Sequence, residues 1–75
     1  MLPPVVILVL AMPKVRRGGY IFVTYKGDHD PRHVHIFRDG KEIAKWNLEA
    51  SVLMSGVMHR KLLKLLAELV NEEKL

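Results

Sequence analysis

The sequence predicts a small α+β domain: an antiparallel β-sheet of about four strands, with one C-terminal amphipathic helix packed on one face. Three observations predict it. Runs rich in β-branched and aromatic residues alternate with turn signals up to residue 48. Beyond that point, leucines recur at spacings of three and four. Finally, 75 residues can hold only one small hydrophobic core, so the whole chain is predicted to be a single domain.

The first predicted strand is Val5 to Ala11, an apolar run that ends before Pro13. Its β-branched residues and flanking prolines favour a strand. The run is too short to cross a bilayer as a helix, which needs about 20 residues, and no cationic segment precedes it as in a secretory signal. We therefore expect residues 1–11 to extend the main domain, 12–75, by a strand that pairs with a second copy in a homodimer.

Three more strands are predicted after a basic link at residues 14–19. They are Tyr20 to Lys26, His33 to Arg38 and Lys41 to Leu48. The last two flank Asp39-Gly40, a hairpin turn signal. Residues 52–56 are predicted as a short apolar connector or strand, and Tyr20 and Trp46 are assigned to the core rather than to base stacking.

The loop length of this hairpin decides which way His33 and His35 face, because a shift of one residue inverts the faces of a strand. A two-residue loop would place both histidines beside Trp46, in the core. A three-residue loop, residues 39–41, places Val34 opposite Trp46 and is the register we predict. Its core face collects Val34, Ile36, Ala44, Trp46 and Leu48. Its other face carries His33, His35, Phe37, Ile43, Lys45 and Asn47.

A helix is predicted from about Val57 to Glu73. Its apolar stripe contains Leu62, Leu66, Leu69 and Val70. The opposite side is charged, and it includes Lys64 and Glu68 at the i, i+4 spacing of a helical ion pair. Such a helix packs its apolar stripe against a sheet.

The net charge of +4 favours an anionic partner such as nucleic acid. The candidate nucleic-acid contacts are Arg16, Arg17, Arg32, Arg38 and Lys45. No glycine-rich nucleotide-binding spacing is present. Cysteine is absent, which excludes disulfides and thiolate zinc sites and fits a cytoplasmic location.

The stretch from Asp28 to His35 concentrates the residues that can do chemistry: three of the four histidines and two of the eight acids. His33 and His35 project from one face of a strand, about 7 Å apart. Together with Asp28, His29 and Asp30 they could ligate a divalent metal. His33, His35 and His29 could instead act as acid and base in catalysis. In a third interpretation the cluster is structural and its acids cap loop amides. The residues leave these interpretations open.

These motifs resemble the small bacterial family catalogued as domain of unknown function forty-one-sixty. The resemblance rests on Met12-Pro13-Lys14-Val15, on Gly18-Gly19-Tyr20-Ile21-Phe22 and on Asp28-His29-Asp30-Pro31-Arg32-His33-Val34-His35. It covers Met12 to the C-terminus, although Arg32 stands where a second proline is usual. The family has no established activity. The arrangement of its genes implies a component of a toxin and antitoxin pair, with a small cognate partner protein.

A looser resemblance, carried by the pattern from Gly27 through His35-Ile36-Phe37, is to small ribonuclease toxins with a double-stranded-RNA-binding-like fold. It implies a histidine that withdraws a 2′-hydroxyl proton. Two function classes therefore follow from the sequence. One is a nucleic-acid-directed toxin or accessory component, and the other is a non-enzymatic protein-interaction module.

Overall fold

The computed structural model describes residues 14–24 and 32–75, which form a five-stranded antiparallel sheet and one helix. The strands are neighbours in space in the order in which they occur along the chain. They are β1 (Lys14–Arg17), β2 (Tyr20–Thr24), β3 (His33–Arg38), β4 (Lys41–Asn47) and β5 (Val52–Gly56), and they are followed by helix α1 (Arg60–Asn71). The predicted α+β class is confirmed.

The sheet has one strand more than the approximate count predicted, because the segment interpreted as a basic link is β1. Val15 lies opposite Phe22 and packs against the core, so a single apolar side chain anchors an otherwise charged strand. Gly18 and Gly19 both have positive φ, 61° and 86°, which suits the tight turn to β2. The segment interpreted as a connector or strand, residues 52–56, is β5.

The predicted strand at residues 5–11 lies outside the described residues. The dimer pairing assigned to that strand therefore stays a prediction. The same holds for the last two residues predicted for β2, Tyr25 and Lys26, since the described part of that strand ends at Thr24.

The hydrophobic core lies between α1 and one face of the sheet. Its buried members are Tyr20, Phe22, Val34, Ile36, Ala44, Leu62, Leu66 and Leu69. Trp46 is partly buried against them, so its assignment to the core, like that of Tyr20, is confirmed. Every core residue of β3 lies at an even position, which is the alternation predicted from the sequence.

The register between β3 and β4 is as predicted, but the loop that produces it is not. Val34 lies opposite Trp46, while the turn itself has only two residues, Asp39 and Gly40, with φ of 53° and 78°. Both values are positive, as a two-residue type I′ turn requires. A β-bulge supplies the remaining one-residue shift in register. Ile36 pairs with Ala44 and Phe37 with Glu42, so Ile43 has no partner on β3. As a result Ile43 packs against the core instead of joining the histidines.

Helix α1 begins three residues later than predicted because His59 caps it. The backbone of His59 is extended, and its Nδ1 accepts a hydrogen bond from the Leu62 amide at 3.3 Å. A nitrogen that accepts carries no proton, so the neutral ring holds its proton on Nε2. That Nε2 donates to the buried hydroxyl of Tyr20, 3.0 Å away.

Within the described residues, no helix has the length and apolarity that crossing a membrane would need.

Replacing His59 by alanine is expected to lower the free energy of unfolding by about 2 kcal/mol, from the lost cap and the lost Tyr20 contact. His59→Asn keeps a side-chain acceptor at the cap and loses only the second contact, so about half of that loss is expected. Urea denaturation of the two variants measures both values. Equal losses would show that the cap contributes nothing.

A second connection ties β1 to the end of α1. Arg17 binds Glu72 through two parallel contacts, Nη1 to Oε2 at 2.7 Å and Nη2 to Oε1 at 2.8 Å. Glu68 lies 3.7 Å from the same guanidinium. The hydrogen bond from Arg17 lowers the pKa of Glu72 below its usual value. The same interaction raises the pKa of Arg17. Arg17 therefore faces the helix side of the sheet.

This ion pair is expected to make part of the stability depend on pH. Because the pKa of Glu72 is lower in the folded chain, the stabilisation is complete above the ordinary carboxyl range and is lost as the pH falls through the folded-state value. Thermal melts at neutral pH should place Glu72→Gln below the wild type, and the difference should disappear in acid. Glu73→Gln, one residue further on, is the matched control. A Glu72→Gln deficit that persists in acid would contradict this origin.

Candidate functional site

The surface of the sheet opposite α1, which we call the histidine face, carries His33 and His35. A row of directly opposed residues crosses it from β1 to β4: Lys14 faces Val23, Val23 faces His35, and His35 faces Lys45. Side chains directly opposed in an antiparallel ladder lie on the same face. Two lysines therefore flank His35 within one row.

A parallel row begins at Arg16 on β1 and ends at Glu42 on β4. Between them lie Ile21 and Phe37, again directly opposed to their neighbours. The two rows enclose a shallow depression of about 310 Å³. Its lining consists of Lys14, Ile21, Val23, Phe37 and Gly40. The histidine face thus combines an apolar hollow with cations at its β1 side.

The two imidazoles of β3 are close enough to act on one ligand. The ring centroids of His33 and His35 lie 4.9 Å apart, with the rings inclined at 61°. Nδ1 of His35 lies 2.9 Å from Oε1 of Glu42. A carboxylate can only accept, so Nδ1 carries the proton of this bond and the ring is held in one orientation. An imidazole oriented by a carboxylate is the arrangement of a general base.

The five cations predicted to contact nucleic acid are divided between the two faces. Arg16 and Lys45 lie on the histidine face. Arg38 lies on the helix side, where its Nη1 donates to the Tyr20 hydroxyl at 3.2 Å. Arg17 is held there by Glu72. Arg32 precedes β3, and its backbone amide donates to Glu49 at 3.2 Å.

The structure therefore does not bring Arg17 and Arg38 together with the histidines. Lys14 takes their place. It was overlooked because its segment was interpreted as a link, and only a strand assigns its side chain to a face. Glu42 was overlooked for a different reason: the bulge at Ile43 determines which face Glu42 occupies, and the alternation of buried residues does not mark that bulge.

The remaining predicted site residues, Asp28, His29 and Asp30, lie outside the described residues. Within residues 14–24 and 32–75, no three histidine, aspartate or glutamate side chains form a group able to hold a metal ion. The metal hypothesis and the catalytic role assigned to His29 therefore stay predictions. The described part of the site consists of His33, His35 and the residues around them.

Comparison with known proteins gives one match. No curated protein and no solved structure matches the chain significantly. A family model matches residues 19–74, which is most of the chain and includes the histidine motif and helix α1. The chain therefore belongs to the family described as domain of unknown function (DUF4160).

Proposed function

We propose that the chain binds single-stranded nucleic acid on the histidine face. One observation carries the proposal: the face that α1 leaves uncovered combines three cations, two imidazoles and an apolar depression with an aromatic wall. A basic surface with interleaved aromatic side chains is the usual composition of a site for single strands.

The cations supply the affinity for phosphate. Lys14 lies on β1 and Lys45 on β4, and three strand spacings of about 4.8 Å separate them by about 14 Å. Arg16 lies beside Lys14 on β1, an edge strand of the described sheet, and both residues are exposed. A nucleic-acid strand that crosses the sheet from β1 to β4 therefore meets positive charge at both ends of its path. The net charge of +4 adds a long-range attraction for polyanions.

The depression favours a single strand over a duplex. Phe37 is half-buried, and it forms one wall of the hollow together with Ile21 and Val23. Bases in a duplex are stacked on each other and cannot enter such a hollow, whereas an unstacked base can lie on an aromatic ring. Each stacked base contributes about 1–3 kcal/mol to binding. The rings of His33 and His35, whose centroids are 4.9 Å apart, lie on the same face as the hollow.

Fluorescence anisotropy with a labelled RNA oligonucleotide tests the proposal. We expect binding that weakens with salt, and a slope of log affinity against log salt that falls by about 0.7 for each cation removed. Lys45→Gln is the informative variant, and Lys61→Gln, an exposed lysine on α1, is its matched control. Phe37→Ala should weaken binding at every salt concentration with the slope unchanged. Equal effects of Lys45→Gln and Lys61→Gln would show that RNA binding is not localised on the histidine face.

The hydrogen bond between His35 and Glu42 favours a second candidate function, RNA cleavage. An oriented imidazole can withdraw the 2′-hydroxyl proton, so that the 2′-oxygen attacks the adjacent phosphate, a 2′,3′-cyclic phosphate forms and the 5′-oxygen leaves with a proton from the imidazolium or from water. Such an activity would cut RNA but not DNA of the same sequence, and it would suit the toxin of a toxin and antitoxin pair. His35→Ala should abolish cleavage while binding persists, and Glu42→Gln should reduce it. Binding without cleavage by the wild type would restrict the function to recognition.

A further inference from the structure

We infer that β5 forms the interface of a homodimer, and we call this interface the seam. In this assembly two copies of Val52–Gly56 pair antiparallel about a two-fold axis perpendicular to the sheet. The five-stranded sheet of one copy then continues into that of the other.

The two edges of the described sheet differ in a way that singles out β5. All five residues of β5 are exposed and none is charged, and Val52, Leu53 and Met54 are 50%, 42% and 40% accessible. By contrast β1, at the other edge, carries three cations in four residues. Charged residues on an edge strand prevent pairing with another chain, and an uncharged apolar edge invites it. Within the described residues, charge protects β1, whereas β5 carries no charge and has only a β-bulge at Met54, which has no partner on β4.

A groove with a mixed polar and apolar lining begins at Ser51, the residue before β5. It measures about 590 Å³ and lies between α1 and the end of the sheet that bears β5. Its lining includes Trp46, Ser51, Leu63, Leu66, Ala67 and Val70. Leu63 and Val70 are 40% and 47% accessible, large values for apolar residues of this size. Leu53 lies opposite Trp46, so its side chain is on the same face of the sheet as the helix.

The two-fold pairing would cover these side chains. An axis perpendicular to the sheet leaves both helices on the same face, so the grooves of the two copies meet across the seam. Such a contact is isologous, since each copy offers the same surface. A standard interface needs about 800 Å² from each partner, which is about a seventh of the 5543 Å² surface of this chain.

The distribution of charge favours a second copy over a different partner. The three cations of β1 lie four strand spacings from β5, or about 19 Å. In the dimer the two copies of Lys45, on β4, would stay about 14 Å apart. Both distances exceed the screening length of about 8 Å at physiological salt. Lys64 and Glu68 both line the groove, and the Glu68 carboxylate lies 3.7 Å from Arg17 of β1.

Light scattering on the full chain tests the inference through its mass. At tens of micromolar we expect twice the 8.6 kDa of one chain. Leu53→Lys and Met54→Lys should give the monomer mass while retaining the far-ultraviolet circular dichroism of a folded chain. Val57→Lys should remain dimeric, because Val57 is 73% accessible and lies just beyond the strand. A monomeric wild type, or a folded Met54→Lys that is still dimeric, would overturn the inference.

Cysteine crosslinking tests which edge forms the seam. The chain has no cysteine, so a single introduced thiol can form a disulfide only with its copy. Directly opposed strand residues have Cα atoms about 4.5–5.5 Å apart, within the range that a disulfide spans. With the two-fold axis at the middle residue of β5, Met54 lies opposite its copy, so Met54→Cys should give a covalent dimer on mild oxidation, and Arg16→Cys, on β1, should not. Crosslinking through Arg16→Cys alone would place the seam at the other edge and refute the assignment.

Discussion

Phe22→Ala is expected to lower the free energy of unfolding by about 3–5 kcal/mol. Phe22 is fully buried, and its ring lies 6.5 Å from that of Tyr20 in an edge-to-face arrangement. Truncation removes this packing and leaves a cavity between β2 and α1. A chain of 75 residues has a total stability of roughly 4–11 kcal/mol. The variant should therefore be marginally folded or unfolded at physiological temperature.

Phe37→Ala is the matched control, since it makes the same chemical change on the other face of the neighbouring strand. Phe37 is half-buried and lines the open depression, so its truncation leaves no enclosed cavity. We expect a stability loss of about 1 kcal/mol or less, because only part of the ring is removed from water. Urea denaturation of both variants gives the comparison. Similar losses would mean that the histidine face is covered in solution.

The division of β3 into two faces could be predicted from the sequence because it depends on a single periodicity. Val34 and Ile36 alternate with His33 and His35, and only one of the two sets can be buried without placing imidazoles in the core. The same argument selected the correct partner for Val34 on β4. Burial therefore fixed the register, even though the loop length used to explain it was wrong.

The bulge at Ile43 was not predicted, because both ways of reaching that register satisfy the same burial pattern. A three-residue loop and a two-residue turn with a bulge give identical faces beyond Ala44. They differ only at Glu42 and Ile43. The turn Asp39-Gly40 prefers two residues because both adopt positive φ at low cost. This local preference moved Glu42 next to His35 and so completed the candidate site.

Contacts between distant parts of the chain were also beyond sequence analysis. Arg17 and Glu72 are 55 residues apart, and nothing in their local sequences marks them as partners. His59 was overlooked because histidine is not among the residues that usually cap helices. Its role follows from the Tyr20 hydroxyl, which only the folded sheet brings within reach.

Gly56→Ala is expected to lower the free energy of unfolding by about 2–5 kcal/mol, through two separate effects. Gly56 has φ of +85°, where a side chain costs about 1–2 kcal/mol. An added Cβ would also overlap the carbonyl oxygen of Ile43 and lie 2.7 Å from the Cα of Ala44. Both are backbone atoms that no rotamer change can move, so β4 and β5 must separate locally. The Ile43 carbonyl would then lose its hydrogen bond from the Val57 amide.

Gly40→Ala isolates the first of these effects. Gly40 has φ of +78°, but an added Cβ there would meet nothing within 4 Å. It should cost only the conformational term, about 1–2 kcal/mol. The excess loss in Gly56→Ala then measures how closely β5 is held against the bulged part of β4. If the two variants have equal midpoints in urea, the β4 and β5 pairing is loose at Gly56. In that case the edge strand could yield to an added methyl group at no further cost.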